Sequence, residues 1–158
     1  KVTGLDIAQT AITTAKEHAL SSKLTIDYIC SPIETYPDQK FDVITCLEML
    51  EHVDTPELVI EHCHRLLEDD GWLFLSTINR SPIAYAQVVL AAEYILNLLP
   101  RQTHDYKKFI KPSELASICR LQGFEVYDIQ GLNYNPISRT AWVSGNPKIN
   151  YLMACKKA

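Results

Sequence analysis

The chain has 158 residues, 47% hydrophobic and 22% charged, with a net charge of −4. That length suits one globular domain with a core of useful size, and the composition excludes a disordered or fibrous chain. The acidic balance gives no global pull toward nucleic acid. Five cysteines with no C-x-x-C pair exclude a disulfide framework and read as reduced thiols of a cytosol-like compartment.

Val2–Ile7 is a short apolar run holding Asp6 near its end, the pattern of a buried strand. It opens without an initiator Met or a signal peptide, so the chain is expected to begin within a longer one. Residues 8–21 carry Ile12, Ala15, Ala19 and Leu20 at helical spacing. Leu24–Cys30 predicts a strand, and Pro32, Pro37 and Asp38 a loop. Phe41–Leu47 is β-branched and apolar, the clearest strand of the chain. Residues 56–69 predict a helix with Leu58, Val59, Cys63, Leu66 and Leu67 on one side. Asp69-Asp70-Gly71 predicts a turn, and Trp72–Thr77 the next strand.

The remainder is less regular. Residues 82–99 are strongly apolar. Pro112 starts a helix to Leu121, with proline at its favoured first-turn position and Gly123 as the stop. Phe124–Ile129 and Ile149–Cys155 read as two late strands around a polar loop. Strand and helix alternate three times within the first 80 residues, which predicts parallel strands joined by right-handed crossovers. Such sheets bind ligands at the carboxyl ends of their strands, where Asp6, Ser31, Glu48 and Asn79 fall.

Two positions there carry chemistry. Asp6 suits either the two hydroxyls of a ribose or the start of the following helix. Glu48-Met49-Leu50-Glu51-His52 follows the clearest strand. If a helical turn begins at once, Glu48, Glu51 and His52 stand at i, i+3 and i+4 on one face. Two carboxylates and an imidazole there suit a hard divalent cation such as Mg²⁺, or form a solvated acidic turn. His62-Cys63-His64 is no metal motif on a helix, because i and i+2 do not face each other.

Within residues 83–99 the polar members Gln87, Glu93 and Asn97 fall in roughly a 120° arc at about 100° per residue. A central Glu argues against a membrane span. The pattern fits an interfacial helix, with Arg101, Lys107, Lys108 and Lys111 downstream for anionic head groups, or a lid over an apolar pocket.

Across nearly its whole length the chain resembles the ubiquinone-biosynthesis O-methyltransferases. The resemblance is carried by Val2-Thr3-Gly4-Leu5-Asp6, by Phe41 to Val53 and by Ser76-Thr77-Ile78-Asn79-Arg80. It continues in Ala92-Glu93-Tyr94-Ile95-Leu96, Thr103 to Pro112 and Gly131-Leu132-Asn133-Tyr134-Asn135-Pro136. The E-M-L-E-H-V string is shared by many class I methyltransferases, whereas T-H-D-x-K-K-F-I-K-P and L-x-Y-N-P are narrower.

The resemblance implies a Rossmann-like class I fold over residues 1–158, a mostly parallel twisted sheet with helices on both faces. It implies methyl transfer from S-adenosylmethionine to a catechol or phenol hydroxyl of a polyprenylated ubiquinone precursor. Asp6 and Leu47 would contact the cofactor. Glu48, Glu51 and His52 would hold Mg²⁺, with His52 a general base in the alternative. Residues 79–105 would be a membrane-associating or lid insertion facing an anionic membrane surface, with other ubiquinone-biosynthesis proteins as further partners. The location implied is cytoplasmic and peripheral to the inner membrane in a bacterium, or the matrix side of the mitochondrial inner membrane.

The family's glycine-rich loop has no counterpart, since Gly4, Gly71, Gly123, Gly131 and Gly145 make no G-x-G pattern. The first strand and that loop are therefore expected upstream, the strand lying between those ending at Asp6 and Leu47. Residues 1–158 alone are expected to bind the cofactor weakly. Two competing readings are a methyltransferase for another small apolar acceptor and a non-catalytic lipid-binding component of a membrane biosynthetic complex.

Overall fold

The structure, a computed structural model, describes residues 1–86, 105–135 and 138–158. These form two compact units, Lys1–Gln39 and Lys40–Ala158.

The first unit is a strand–helix–strand crossover: β1 (Thr3–Asp6), α1 (Gln9–Ser21) and β2 (Asp27–Cys30). β1 and β2 pair in parallel from Thr3 opposite Asp27 to Asp6 opposite Cys30. Ile12 and Ala19 are the buried residues of α1. Leu20, expected on the same stripe, is 80% exposed, because one residue past Ala19 is about 100° further round the helix.

The second unit contains β3 (Phe41–Leu47), α2 (Pro56–Leu66), β4 (Leu67–Ile78) and the single turn α3 (Pro82–Ala84). It continues with α4 (Pro112–Leu121), β5 (Phe124–Asn135), β6 (Thr140–Ser144) and β7 (Asn150–Lys157). The strand order is β3-β4-β7-β5-β6. β3 and β4 pair in parallel across α2, as a helical crossover requires. The other pairings, β4–β7, β5–β7 and β5–β6, are antiparallel.

Several boundaries differ from the sequence expectation, β2 starting at Asp27 rather than Leu24 and β7 reaching Lys157. α2 stops at Leu66, and Leu67 already pairs with Phe41. The register then jumps, so that Val43 meets Trp72 and residues 68–71 bulge out of β4. The expected Asp69-Asp70-Gly71 turn is that bulge, with Asp70 in the left-handed region at φ 65°. β5 runs six residues past Ile129, to Asn135, and pairs with β6, a strand not expected from the sequence. Both strands lie mostly in the open: their residues are largely exposed or half-buried, so no apolar alternation marks them.

The core of this unit lies where α2 and α4 meet β4, β5 and β7. Leu67, Leu73, Leu75, Leu115, Cys119, Tyr151 and Cys155 are fully buried there. Each buried Leu contributes about 1.5–3 kcal/mol. β7 alternates strictly, with Tyr151, Met153, Cys155 and Lys157 buried and the residues between them half-buried. One face of the sheet is thus packed and the other half-open. The apolar run expected over 82–99 begins at α3, where the Ser81 hydroxyl caps the Ala84 N–H at 3.1 Å. From residue 87 to 104 it lies outside the described residues.

Candidate active site

In the first unit, Asp6 ends β1 in the open. Its Oδ1 accepts the Ala8 N–H at 2.7 Å. The helix N-cap is Ala8, with no side-chain cap, so Asp6 shapes an Asx turn ahead of α1 rather than capping it. That turn fixes the carboxylate at the strand's carboxyl end.

In the second unit, β3 ends at Leu47, which is 51% exposed. Its register partner is Ser76 of β4. The next residue, Glu48, has φ 51°. A non-glycine residue in that region carries a cost of about 1–2 kcal/mol, so its neighbours must hold it there. The Glu48 N–H donates to the Ser76 carbonyl and to Ser76 Oγ, each at 3.0 Å. Ser76 Oγ donates in turn to Glu48 Oε1 at 2.7 Å, and Asn150 Nδ2 donates to Glu48 Oε2 at 3.1 Å.

Leu50–His52 follows as a 3-10 turn. Leu50 is fully buried and draws Glu51 in with it to 4% exposure. Thr77 Oγ1 donates to Glu51 Oε2 at 2.7 Å, while Glu51 Oε1 is buried with no hydrogen-bond partner. The nearby thiol of Cys46 is pushed up to about 12 by burial and then by the Glu51 charge. The Tyr151 hydroxyl donates to the Ile110 carbonyl at 3.0 Å. Burial first, and then neighbouring groups that include Glu51 and Glu48, raise its pKa, so it stays protonated.

The sequence expectation of a single helical face for Glu48, Glu51 and His52 is not met. Glu48 sits in the left-handed region ahead of the turn, and a 3-10 turn does not align i with i+4. The sheet gives the deeper reason. Ser76 and Thr77 are consecutive on β4 and leave it on opposite faces. Ser76, opposite Leu152, grips Glu48 on the half-open face. Thr77, opposite Tyr151, grips Glu51 on the packed face. Among the described residues no three His, Cys, Asp or Glu side chains are grouped to hold a metal ion. With Glu48 and Glu51 held on opposite faces of β4, the donor set as placed does not fit a three-ligand Mg²⁺ centre.

Other candidates resolve into structural roles. Asn79, expected at a ligand end, donates from its backbone to the Ile149 carbonyl and from Nδ2 to the Pro147 carbonyl. Cys63 is a core residue, His62 Nδ1 accepts from Arg65 and His64 sits edge-on to Phe124. Of the expected basic residues, Lys108 pairs with Asp54 at 2.8 Å, while Arg101 lies outside the described residues. Beside them opens a cleft of about 680 Å³, lined in part by Val53, Arg80, Lys108, Phe109 and Ile118. The sequence reading did not single out Asn150, or the hydroxyls of Ser76 and Thr77, as holders of the two carboxylates. The available signal was a pair of hydroxyl residues closing an otherwise apolar strand.

A family model described as a methyltransferase domain matches residues 1–129. The ubiquinone biosynthesis O-methyltransferase of Pseudomonas aeruginosa is 47% identical over 159 residues, covering 99% of this chain and 68% of the relative. The enzyme of the same name from Bordetella avium is 43% identical, covering 99% and 66%. The chain belongs to this family. It spans about two thirds of the length of these curated O-methyltransferases.

The fold is the Rossmann-like one of class I S-adenosylmethionine-dependent methyltransferases. A methyltransferase from Clostridium acetobutylicum superposes with a TM-score of 0.72 at 12% identity, covering 100% of this chain and 76% of that one. Magnesium protoporphyrin IX methyltransferase from Synechocystis, solved with bound S-adenosylhomocysteine, gives 0.69 at 18% identity, covering 99% and 64%.

Proposed function

We propose that residues 1–158 are the larger part of one methyltransferase domain that methylates a phenolic hydroxyl on a polyprenylated ubiquinone precursor. The observation that carries this is Glu48, strained and doubly gripped at the carboxyl end of β3, in a chain of this family. Local rules are broken where function needs a fixed group.

S-adenosylmethionine supplies a methyl group already activated on a sulfonium. Asp6, exposed and oriented by its turn, suits the ribose hydroxyls, and the exposed Leu47 suits an apolar contact to the cofactor. In the transfer the phenol oxygen gains the methyl, the sulfonium–carbon bond breaks and the hydroxyl proton leaves. Glu48 or His52 takes that proton, directly or through water. Holding the oxygen in line with the methyl accounts for most of the remaining work.

Methylation of a short-chain prenyl catechol by the full-length protein tests this reading, and a wild-type enzyme that leaves that acceptor unmethylated sinks it. A broader panel separates ubiquinone precursors from other apolar acceptors.

A divalent cation is the second reading of the turn, favoured by the buried, unpartnered Glu51 Oε1. Glu51→Gln assayed across a Mg²⁺ titration decides it: unchanged activity and metal dependence count against a ligand role.

Residues 79–105 are proposed to meet an anionic membrane surface or to cover the acceptor. Among the described residues no helix is long and apolar enough to cross a membrane. A peripheral location on the inner membrane, with other ubiquinone-biosynthesis proteins as neighbours, follows from this reading. Flotation on anionic liposomes, with and without residues 82–100, tests the lipid contact.

A further inference from the structure

We propose that Asn150 and Ser76 are positioning residues that aim the Glu48 carboxylate at a donor hydroxyl of the acceptor substrate. The inference rests on the reading of this chain as an O-methyltransferase and deepens it at one carboxylate.

Asn150 opens β7 opposite Ile78 of β4, and Ser76 stands two residues before Ile78. Residues two apart on a strand share a face, so Ser76 and Asn150 emerge on the same side, beside Glu48. They divide its carboxylate between them, Ser76 Oγ on Oε1 at 2.7 Å and Asn150 Nδ2 on Oε2 at 3.1 Å. Ser76 also accepts the Glu48 N–H, so backbone and side chain are fixed by one hydroxyl.

Asn150 gives up something for this geometry. Its Oδ1 is buried with no hydrogen-bond partner. A buried amide that leaves its carbonyl unpaired is unusual in a fold, and a specific task for its other end explains its presence. Which atom is nitrogen follows from the bond itself, since a carboxylate accepts only from Nδ2.

Glu48 remains an exposed residue in spite of both grips. A carboxylate held at two points retains lone pairs for a further donor. An acceptor with a free hydroxyl supplies that donor, and one whose hydroxyls are methylated does not. A fixed carboxylate therefore favours the hydroxyl form, whereas a loose one loses the preference to rotamer freedom.

The test is calorimetric and needs no turnover. Full-length protein with S-adenosylhomocysteine, in the presence of a chelator, is titrated with a short-chain prenyl catechol and with its dimethyl ether. Wild type is expected to favour the catechol by about tenfold, the scale of one charge-assisted hydrogen bond. Asn150→Ala and Ser76→Ala should bring that ratio close to one, and Ser76→Thr, which keeps the hydroxyl, should restore it. A purely structural role would weaken both ligands together and leave the ratio unchanged, which overturns the proposal. So does a wild-type ratio near one. A wild type that keeps the ratio but transfers no methyl group sinks the methyltransferase reading and leaves the positioning of Glu48 standing.

Discussion

Thr77 Oγ1 lies 2.7 Å from Glu51 Oε2, a hydroxyl and a carboxylate both removed from solvent on the packed face of the sheet. Glu51 Oε1 has no partner there, so this one bond carries the polar contact of the buried carboxylate. Thr77→Val keeps the shape and deletes the donor. Leaving a buried charged acceptor unpaired costs about 1–3 kcal/mol or more. At this chain length that lowers Tm by roughly 2–4 °C for each kcal/mol. Thermal unfolding should show the drop in Thr77→Val and most of the stability back in Thr77→Ser. Equal stability of Thr77→Val and wild type would count against the bond.

Gly131 of β5 has no room for a side chain. A Cβ there would overlap the Asn146 carbonyl oxygen and come within 2.9 Å of Ser144 Oγ. Gly131 pairs with both Ser144 and Tyr151, so the strand cannot step aside without losing register. Gly131→Ala is expected to destabilise by about 1–3 kcal/mol, the scale of forced overpacking. Gly145 is the control, because nothing lies within 4 Å of its missing Cβ. Denaturant melts of the two variants should separate clearly, and a neutral Gly131→Ala would show that the 146 turn yields freely.

His64 sits edge-on to Phe124, with ring centroids 5.2 Å apart. Burial, and then the charges of Lys157 and Lys40, hold its pKa below the ordinary 6.5. A folded value below the unfolded one means the unfolded chain binds more protons between the two. The contribution is complete above pH 6.5 and is lost as pH falls from there through the folded value. Between pH 7.5 and 5 the wild type should therefore lose more stability than His64→Gln. Parallel curves for the two proteins would remove His64 as the cause.

What the sequence disclosed, and what it withheld, follows from the range of each cause. Pro112–Leu121 is legible because local propensity and burial agree there, and Phe41–Leu47 from its β-branched, apolar propensity alone, since only Cys46 of that strand is buried. The bulge at 68–71 arises from pairing with β3, and β6 from pairing with β5, so neither leaves a local apolar pattern. Leu47 came from the family resemblance, while Asp6 at the end of β1, and Glu48 and Glu51 just past β3, were visible as residue types. The separation of Glu48 from Glu51 was not. It depends on the pleat of β4, on a left-handed Glu48 and on Asn150, which stands 102 positions further along the chain.

The thiols provide a last check of how these units are built. Cys46, Cys63, Cys119 and Cys155 are buried, and Cys30 is exposed at the end of β2. Only the thiolate reacts with iodoacetamide, and burial disfavours it. It pushes Cys46 up to about 12 and raises Cys63 as well. Cys30 is open to reagent, and its Sγ donates a long bond to the Ile7 carbonyl at 3.5 Å. At pH 8 the folded chain should take one label per molecule, at Cys30, and five after unfolding in guanidinium. Cys30→Ser should then remove labelling of the folded protein altogether. Rapid native labelling at Cys46 would mean that the turn carrying Glu48 and Glu51 opens to solvent, and would contradict the packing that places both carboxylates.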